Sequence, residues 1–208
     1  MLVPLVFWVA TYRPEGFSYP LVLSLPGAEG QGERFNLYIN FAKALVGFCL
    51  LFLLWKKVTD SEFVARPRWQ FLIALLAPFI IVALAVPVMD LALQPKAMSQ
   101  IATFALVNLF AIALAEETFM RLLIQQSMRN TLANLGANRL LQELLPLALV
   151  TIIFVVIHTG LSAAALWIYA LAGFLYGLSY TLSKNVFYPI MIHFWVNLLH
   201  FSWLTYPA

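Results

Sequence analysis

The chain has 208 residues, 63% of them hydrophobic and 10% charged, against roughly 25% charged residues in an ordinary soluble domain. Such a composition excludes a water-soluble globular fold and fits a single integral membrane domain over residues 1–208, all-α, with helices of roughly 20 residues each crossing a bilayer. The net charge of +3 is read as basic loops on the cytoplasmic side of a membrane protein, not as a nucleic-acid footprint.

Residues 1–12 (MLVPLVFWVATY) are apolar, but as a helix they would reach only about 18 Å, too short for a hydrocarbon core of about 30 Å. They lack the basic start and small-residue cleavage site of a secretory signal, so an interfacial or re-entrant segment is expected. Residues 13–34 are rich in Gly, Pro and Glu and read as a loop. About six spans follow: Phe35 to Trp55, Trp69 to Leu93, Met98 to Met128, Leu144 to Leu161, Ser162 to Leu182 and Val186 to Leu204. The third exceeds what a bilayer requires, so it should tilt or project, and Pro78 and Pro87 should kink the second. The lone cysteine, Cys49, forbids an intramolecular disulfide and reads as a small packing residue. No internal repeat is visible. Gly173 and Gly177 form a GxxxG pair that lets a neighbouring backbone approach closely.

Alternate loops divide the basic residues unevenly. Lys56, Lys57, Arg66, Arg68, Arg121, Arg129, Arg139 and Lys184 fall on one side, and Arg13, Arg34 and Lys96 on the other. The first side is cytoplasmic by the positive-inside rule, which puts both termini outside.

Ionisable groups within apolar spans cost several kcal/mol unless they are paired, hydrated or functional, so the exceptions are informative. Three clusters stand out: Glu116, Glu117 and Arg121 in the third span, His158 at the end of the fourth, and His193, Asn197 and His200 in the sixth. Glu117 and Arg121, at i and i+4, share a helix face and can pair. Glu116 is rotated about 100° away and is left as the free carboxylate, suited to general-base work on water. His193 and Asn197, also four apart, present an imidazole and a carboxamide that can donate to a developing oxyanion. Phe154 and His158 repeat the spacing. Lys43 and Asp90 are weaker candidates: Lys43 can snorkel or meet a carboxylate, and Asp90 falls near a span end. Tyr169, Tyr176 and Tyr180 could line a cavity, with core packing the plainer reading.

In chain order these clusters read EETFMR (Glu116 to Arg121), FVVIH (Phe154 to His158) and HFWVN (His193 to Asn197). The series resembles the EExxxR, FxxxH and HxxxN/D motifs of the CPBP family of intramembrane glutamic endopeptidases, the group of the CAAX prenyl proteases and bacteriocin self-immunity proteins. It covers about Ala102 to His200, within a catalytic core of about residues 98–204. The resemblance implies that Glu116 and His158 activate a water, that His193 and Asn197 stabilise the oxyanion, and that Glu117 and Arg121 support the site. It implies a membrane-anchored protein or peptide substrate met in the lipid bilayer, and a bacterial inner membrane as the location. Two alternatives remain at this stage. A zinc ion could be held by Glu116, His158 and His193, although no HExxH helix is present and metal-free catalysis is the expectation. A non-enzymatic immunity protein or proton-coupled transporter could use the same buried Glu and His residues.

Overall fold

The computed structural model describes residues 2–26, 34–55, 69–158 and 162–206. Seven helices appear among them: α1 (Leu2–Thr11), α2 (Phe41–Leu53), α3 (Trp69–Val88), α4 (Met98–Asn134), α5 (Arg139–Ile157), α6 (Ala163–Ser183) and α7 (Phe187–Trp203). Four of these, α3 to α6, are long and apolar enough to cross a membrane. The all-α membrane bundle expected from composition is what the chain forms.

The predicted elements shift at their edges. The first expected span does not begin at Phe35, because Phe35–Tyr38 is a strand (β2) pairing antiparallel with Leu21–Leu25 (β1), inside the segment read as a loop. Burial explains the hairpin: Leu25 and Leu37 lie in the apolar cluster that holds Phe104 and Phe201, with Val22, Leu23 and Phe35 packed against it. Helix α2 starts only after Asn40, whose side chain accepts the Lys43 amide at 2.8 Å and donates to the carbonyl of Ala10 at 3.1 Å. One residue thus caps α2 and ties α1 to it. Short as expected, α1 packs through Val6 against Leu50 and Leu123.

Helix α4 runs for 37 residues, confirming a third span longer than a bilayer needs. It widens at Asn108–Ala113 and Thr118–Gln125, where Leu114 N–H reaches Leu109 O and Gln126 N–H reaches Arg121 O, an i→i+5 pattern. These turns bracket Glu116 and Glu117. Pro78 and Pro87 lie within α3.

Helix directions alternate, so the bundle has two distinct ends. At one, the Phe104 ring near the start of α4 stacks on Phe201 near the end of α7, 4.0 Å between centroids. There too, the chain after α3 is bonded to the chain after α7, Gln94 N–H to Trp203 O at 2.8 Å and Thr205 N–H to Ala92 O at 2.9 Å. At the other, Trp55 after α2 meets Phe187 at the start of α7, and Glu143 of α5 accepts from Arg129 of α4 (2.8 Å) and Lys184 after α6 (2.5 Å).

Close approach is set by small residues. A Cβ on Gly173 would stand 2.9 Å from the Phe154 ring, and one on Gly177 would stand 2.6 Å from Leu147 and 3.0 Å from Arg121 Nη1. The GxxxG pair is therefore the seat of α5 on α6, as its spacing implied. A third contact was not read from the sequence: a Cβ on Gly47 would lie 2.5 Å from the Cα of Ala115, so α2 rides directly on the backbone of α4, beside Glu116. Because that obstacle is backbone and not a mobile side chain, Gly47→Ala is expected to destabilise the protein by about 1–3 kcal/mol, visible as a lowered melting temperature in detergent.

Candidate functional site

Glu116, His158, His193, Asn197 and His200 all line one cavity of about 240 Å3 between α3, α4, α5, α6 and α7. Its remaining wall is apolar and aromatic, with Phe154, Tyr169 and Tyr176 among the contributors. Three helices from distant parts of the chain thus deliver the side chains singled out by the sequence. Tyr180 does not reach the cavity and instead bonds Gln126 Oε1 at 3.1 Å. Asp90 is exposed, with φ of 52°, and takes no part.

Beneath the cavity lies a buried polar chain. Arg121 and Glu117 are both fully buried, with Arg121 Nε donating to Glu117 Oε2 at 2.7 Å. Glu117 Oε1 accepts from His193 Nδ1 at 2.8 Å. Arg121 Nη1 donates to Gln125 Oε1 at 3.2 Å, and Gln125 Nε2 donates to Thr181 Oγ1 at 2.9 Å and to Gly177 O at 3.3 Å. The arginine meets the carboxylate expected for it, and that carboxylate also aligns an imidazole, which the sequence reading did not foresee.

Hydrogen-bond partners fix the presentation of both rings. A carbonyl can only accept, so His158 Nδ1, 2.6 Å from Phe154 O, carries a proton, and in the neutral ring Nε2 is the lone-pair nitrogen. The FxxxH spacing is that contact: one residue supplies the carbonyl, its ring packs 4.6 Å from the imidazole, and His158 ends the helix. His193 donates from Nδ1 to Glu117, leaving Nε2 towards Glu116 Oε2 at 3.9 Å. Tyr176 stacks on His193 at 4.9 Å, and Phe154 meets it edge-on at 6.1 Å. This ring is held from three sides.

Glu116 is not the free carboxylate that the sequence reading made it. Its Oε1 pairs with Lys43 Nζ at 2.5 Å. Lys43 lies one turn before Gly47 on α2, and the missing Cβ of Gly47 brings that turn within reach of α4. Glu116 Oε2 is buried without a hydrogen-bond partner among the described residues. One oxygen is therefore anchored and the other presented to His193.

Asn108 also went unread. Fully buried, it donates to Phe194 O at 2.9 Å and accepts from Asn197 Nδ2 at 3.0 Å. A lone amide two turns before the paired glutamates was the available signal. One Asn197 N–H is thus committed to Asn108, leaving its second for a ligand. His200 also lines the cavity, and its Nε2 meets Thr205 O at 3.1 Å.

The three side chains of the alternative zinc set, Glu116, His158 and His193, share the cavity wall. Among the described residues no three His, Cys, Asp or Glu side chains stand close enough to hold a metal ion. A lysine ammonium, moreover, occupies the carboxylate that would be a ligand. No step below passes through a metal.

These features define a polytopic helical membrane protein with carboxylates and imidazoles gathered on a buried cavity. Residues 98–199, from the start of α4 into α7, match the family described as type II CAAX prenyl endopeptidase Rce1-like, and through this segment the chain belongs to that family. The match takes in all three motifs on which the CPBP resemblance rests. No curated protein and no solved structure matches the chain.

Removing one member of a buried ion pair strands the other charge, at a cost of about 3–5 kcal/mol. Arg121→Met is accordingly expected to lower thermal stability in detergent more than Arg129→Met, whose pair with Glu143 is partly exposed.

Proposed function

We propose that the chain hydrolyses a peptide bond of a membrane-embedded or lipid-anchored protein or peptide, by a water activated at Glu116 with the help of His158. The observation that carries this reading is the convergence of Glu116, His158 and His193 from α4, α5 and α7 on one cavity. Its membership in a family of membrane endopeptidases supports the same reading.

In the proposed reaction, water attacks the scissile carbonyl while its proton passes to Glu116 Oε2, the oxygen that Lys43 leaves unengaged. His158 Nε2, held as an acceptor by the Nδ1 contact with Phe154, is the second proton acceptor. Charge that gathers on the carbonyl oxygen meets the second N–H of Asn197. It also meets His193, which in its doubly protonated form donates through Nε2 while Nδ1 stays on Glu117. Collapse of the tetrahedral intermediate breaks the C–N bond, and the proton taken from water goes to the leaving amine. Glu117, Arg121, Asn108 and Lys43 are positioning residues in this scheme. The reading is metal-free, supported by the ammonium on Glu116.

Glu116→Gln keeps the shape and removes the base, and should lower kcat by about 10²–10⁴-fold in purified protein with a membrane-anchored reporter. Wild-type turnover by that variant would sink the role, and stoichiometric zinc lost together with activity on chelation would overturn the metal-free scheme. Proton or solute flux through proteoliposomes, with no cleavage, would instead favour the transporter alternative.

Lys43 gives a separate handle. Lys43→Met should reduce kcat with little change in KM and displace the acidic limb of the pH profile, because the anchored oxygen loses its cation. Lys43→Arg should recover part of the loss. Equal kcat in all three proteins would remove Lys43 from the scheme.

A further inference from the structure

Among the described residues, the lining of the cavity runs towards one end of the bundle. It reaches Met89 after α3, His158 at the end of α5, His200 near the end of α7, and Leu204 and Tyr206 beyond it. These all belong to the end where the chain after α3 is bonded to the chain after α7. In the opposite direction the path is filled: Glu117, Arg121 and Gln125 are 0%, 0% and 3% exposed and bond across to Gly177 and Thr181 of α6. Further along, Tyr180 bonds Gln126, and Glu143 joins the ends of α4, α5 and α6.

The basic residues divide between the two ends and the site. Arg121 and Lys43 are consumed inside the site, so neither counts as a loop charge, and Arg121 drops out of the cytoplasmic tally made from sequence. Of the rest, Arg129, Arg139 and Lys184 stand at the filled end, and Lys56, Lys57, Arg66 and Arg68 lie in the stretch between α2 and α3. On the open end are Arg13, Arg34 and Lys96. Lys96 is turned onto the Gln94 and Leu204 carbonyls at 2.6 and 3.0 Å. Short-loop Lys and Arg residues mark the cytoplasmic side.

Resting on the peptidase reading above, we infer that the cavity faces away from the cytoplasm, and that its substrate is a membrane-anchored polypeptide whose scissile bond lies at the outer surface, such as the anchor segment of an exported protein. A tail presented from the cytoplasm meets the end plugged by Arg121 and Gln125. The β1–β2 hairpin lies beside the opening, with Phe35 4.7 Å from Tyr206, so an arriving segment would pass along it.

The orientation is tested without reference to activity. In a Cys49→Ala background, Met98→Cys at the open end and Leu135→Cys at the filled end both place a thiol at exposed positions, 80% and 77% exposed in the native side chains. With a membrane-impermeant maleimide on intact cells, Met98→Cys should label, and Leu135→Cys should label only after permeabilisation. The reverse order, or labelling of both in intact cells, would overturn the inference. Proteoliposomes of known orientation, carrying an anchored reporter with its cleavable linker on one face or the other, then test the substrate. Cleavage confined to the Met98 face supports the inference, and cleavage confined to the Leu135 face overturns it while sparing the peptidase reading. If labelling is as expected and neither reporter is cut, the substrate assignment falls together with the peptidase reading, and the orientation stands.

Discussion

The fully buried pair of Glu117 and Arg121 is the contact on which the rest of the structure hangs. Two unit charges removed from water repay their desolvation only with short geometry and saturated hydrogen bonding. Here one carboxylate accepts from a guanidinium and an imidazole, and the guanidinium reaches on through Nη1 to an amide bonded to the next helix, while its buried Nη2 has no hydrogen-bond partner among the described residues. The chain ties α4 to α7 at Glu117 and, about two turns further along, to α6 at Gln125. A neighbouring second carboxylate would be costly in such surroundings if it stood alone. Lys43 answers it with a second cation from α2. Each glutamate of the adjacent pair therefore has its own positive partner, on a different face of one helix.

Packing and polarity reinforce each other around this pair. Gly173 and Gly177 let α5 settle against α6, and the Phe154 ring that fills the first of those approaches also touches His158, Tyr176 and His193. The same ring thus seats a helix and steadies two imidazoles. The i→i+5 turns on either side of the glutamates belong to this pattern, since such widened turns occur often where a helix must aim side chains at a site.

Much of this was legible in the sequence, for a definite reason. In apolar spans every polar residue is an exception, so EETFMR, FVVIH and HFWVN announce themselves, and their cavity is where the motif order places it. Bundle architecture followed from hydropathy alone. What remained hidden depended on pairings between distant residues. Lys43 could be read as snorkelling or as meeting a carboxylate, and the choice stayed open because nothing in its own helix reveals that Gly47 will meet Ala115. Asn108 and Gln125 are uncharged and carry little signal of their own in the sequence, although Gln125 extends the polar chain and Asn108 holds Asn197. The β1–β2 hairpin was lost because Gly, Pro and Glu in residues 13–34 outweighed strands of only five and four residues. His193 turned towards Glu117 as well as Glu116, a choice made by helix rotation that spacing cannot express.

Lys43 belongs to α2, and α2 precedes the segment, residues 98–199, that the family description covers. The matched segment carries a carboxylate whose counter-charge is supplied from outside that segment. A change in α2 can thus alter the aim of Glu116 while every motif residue stays fixed.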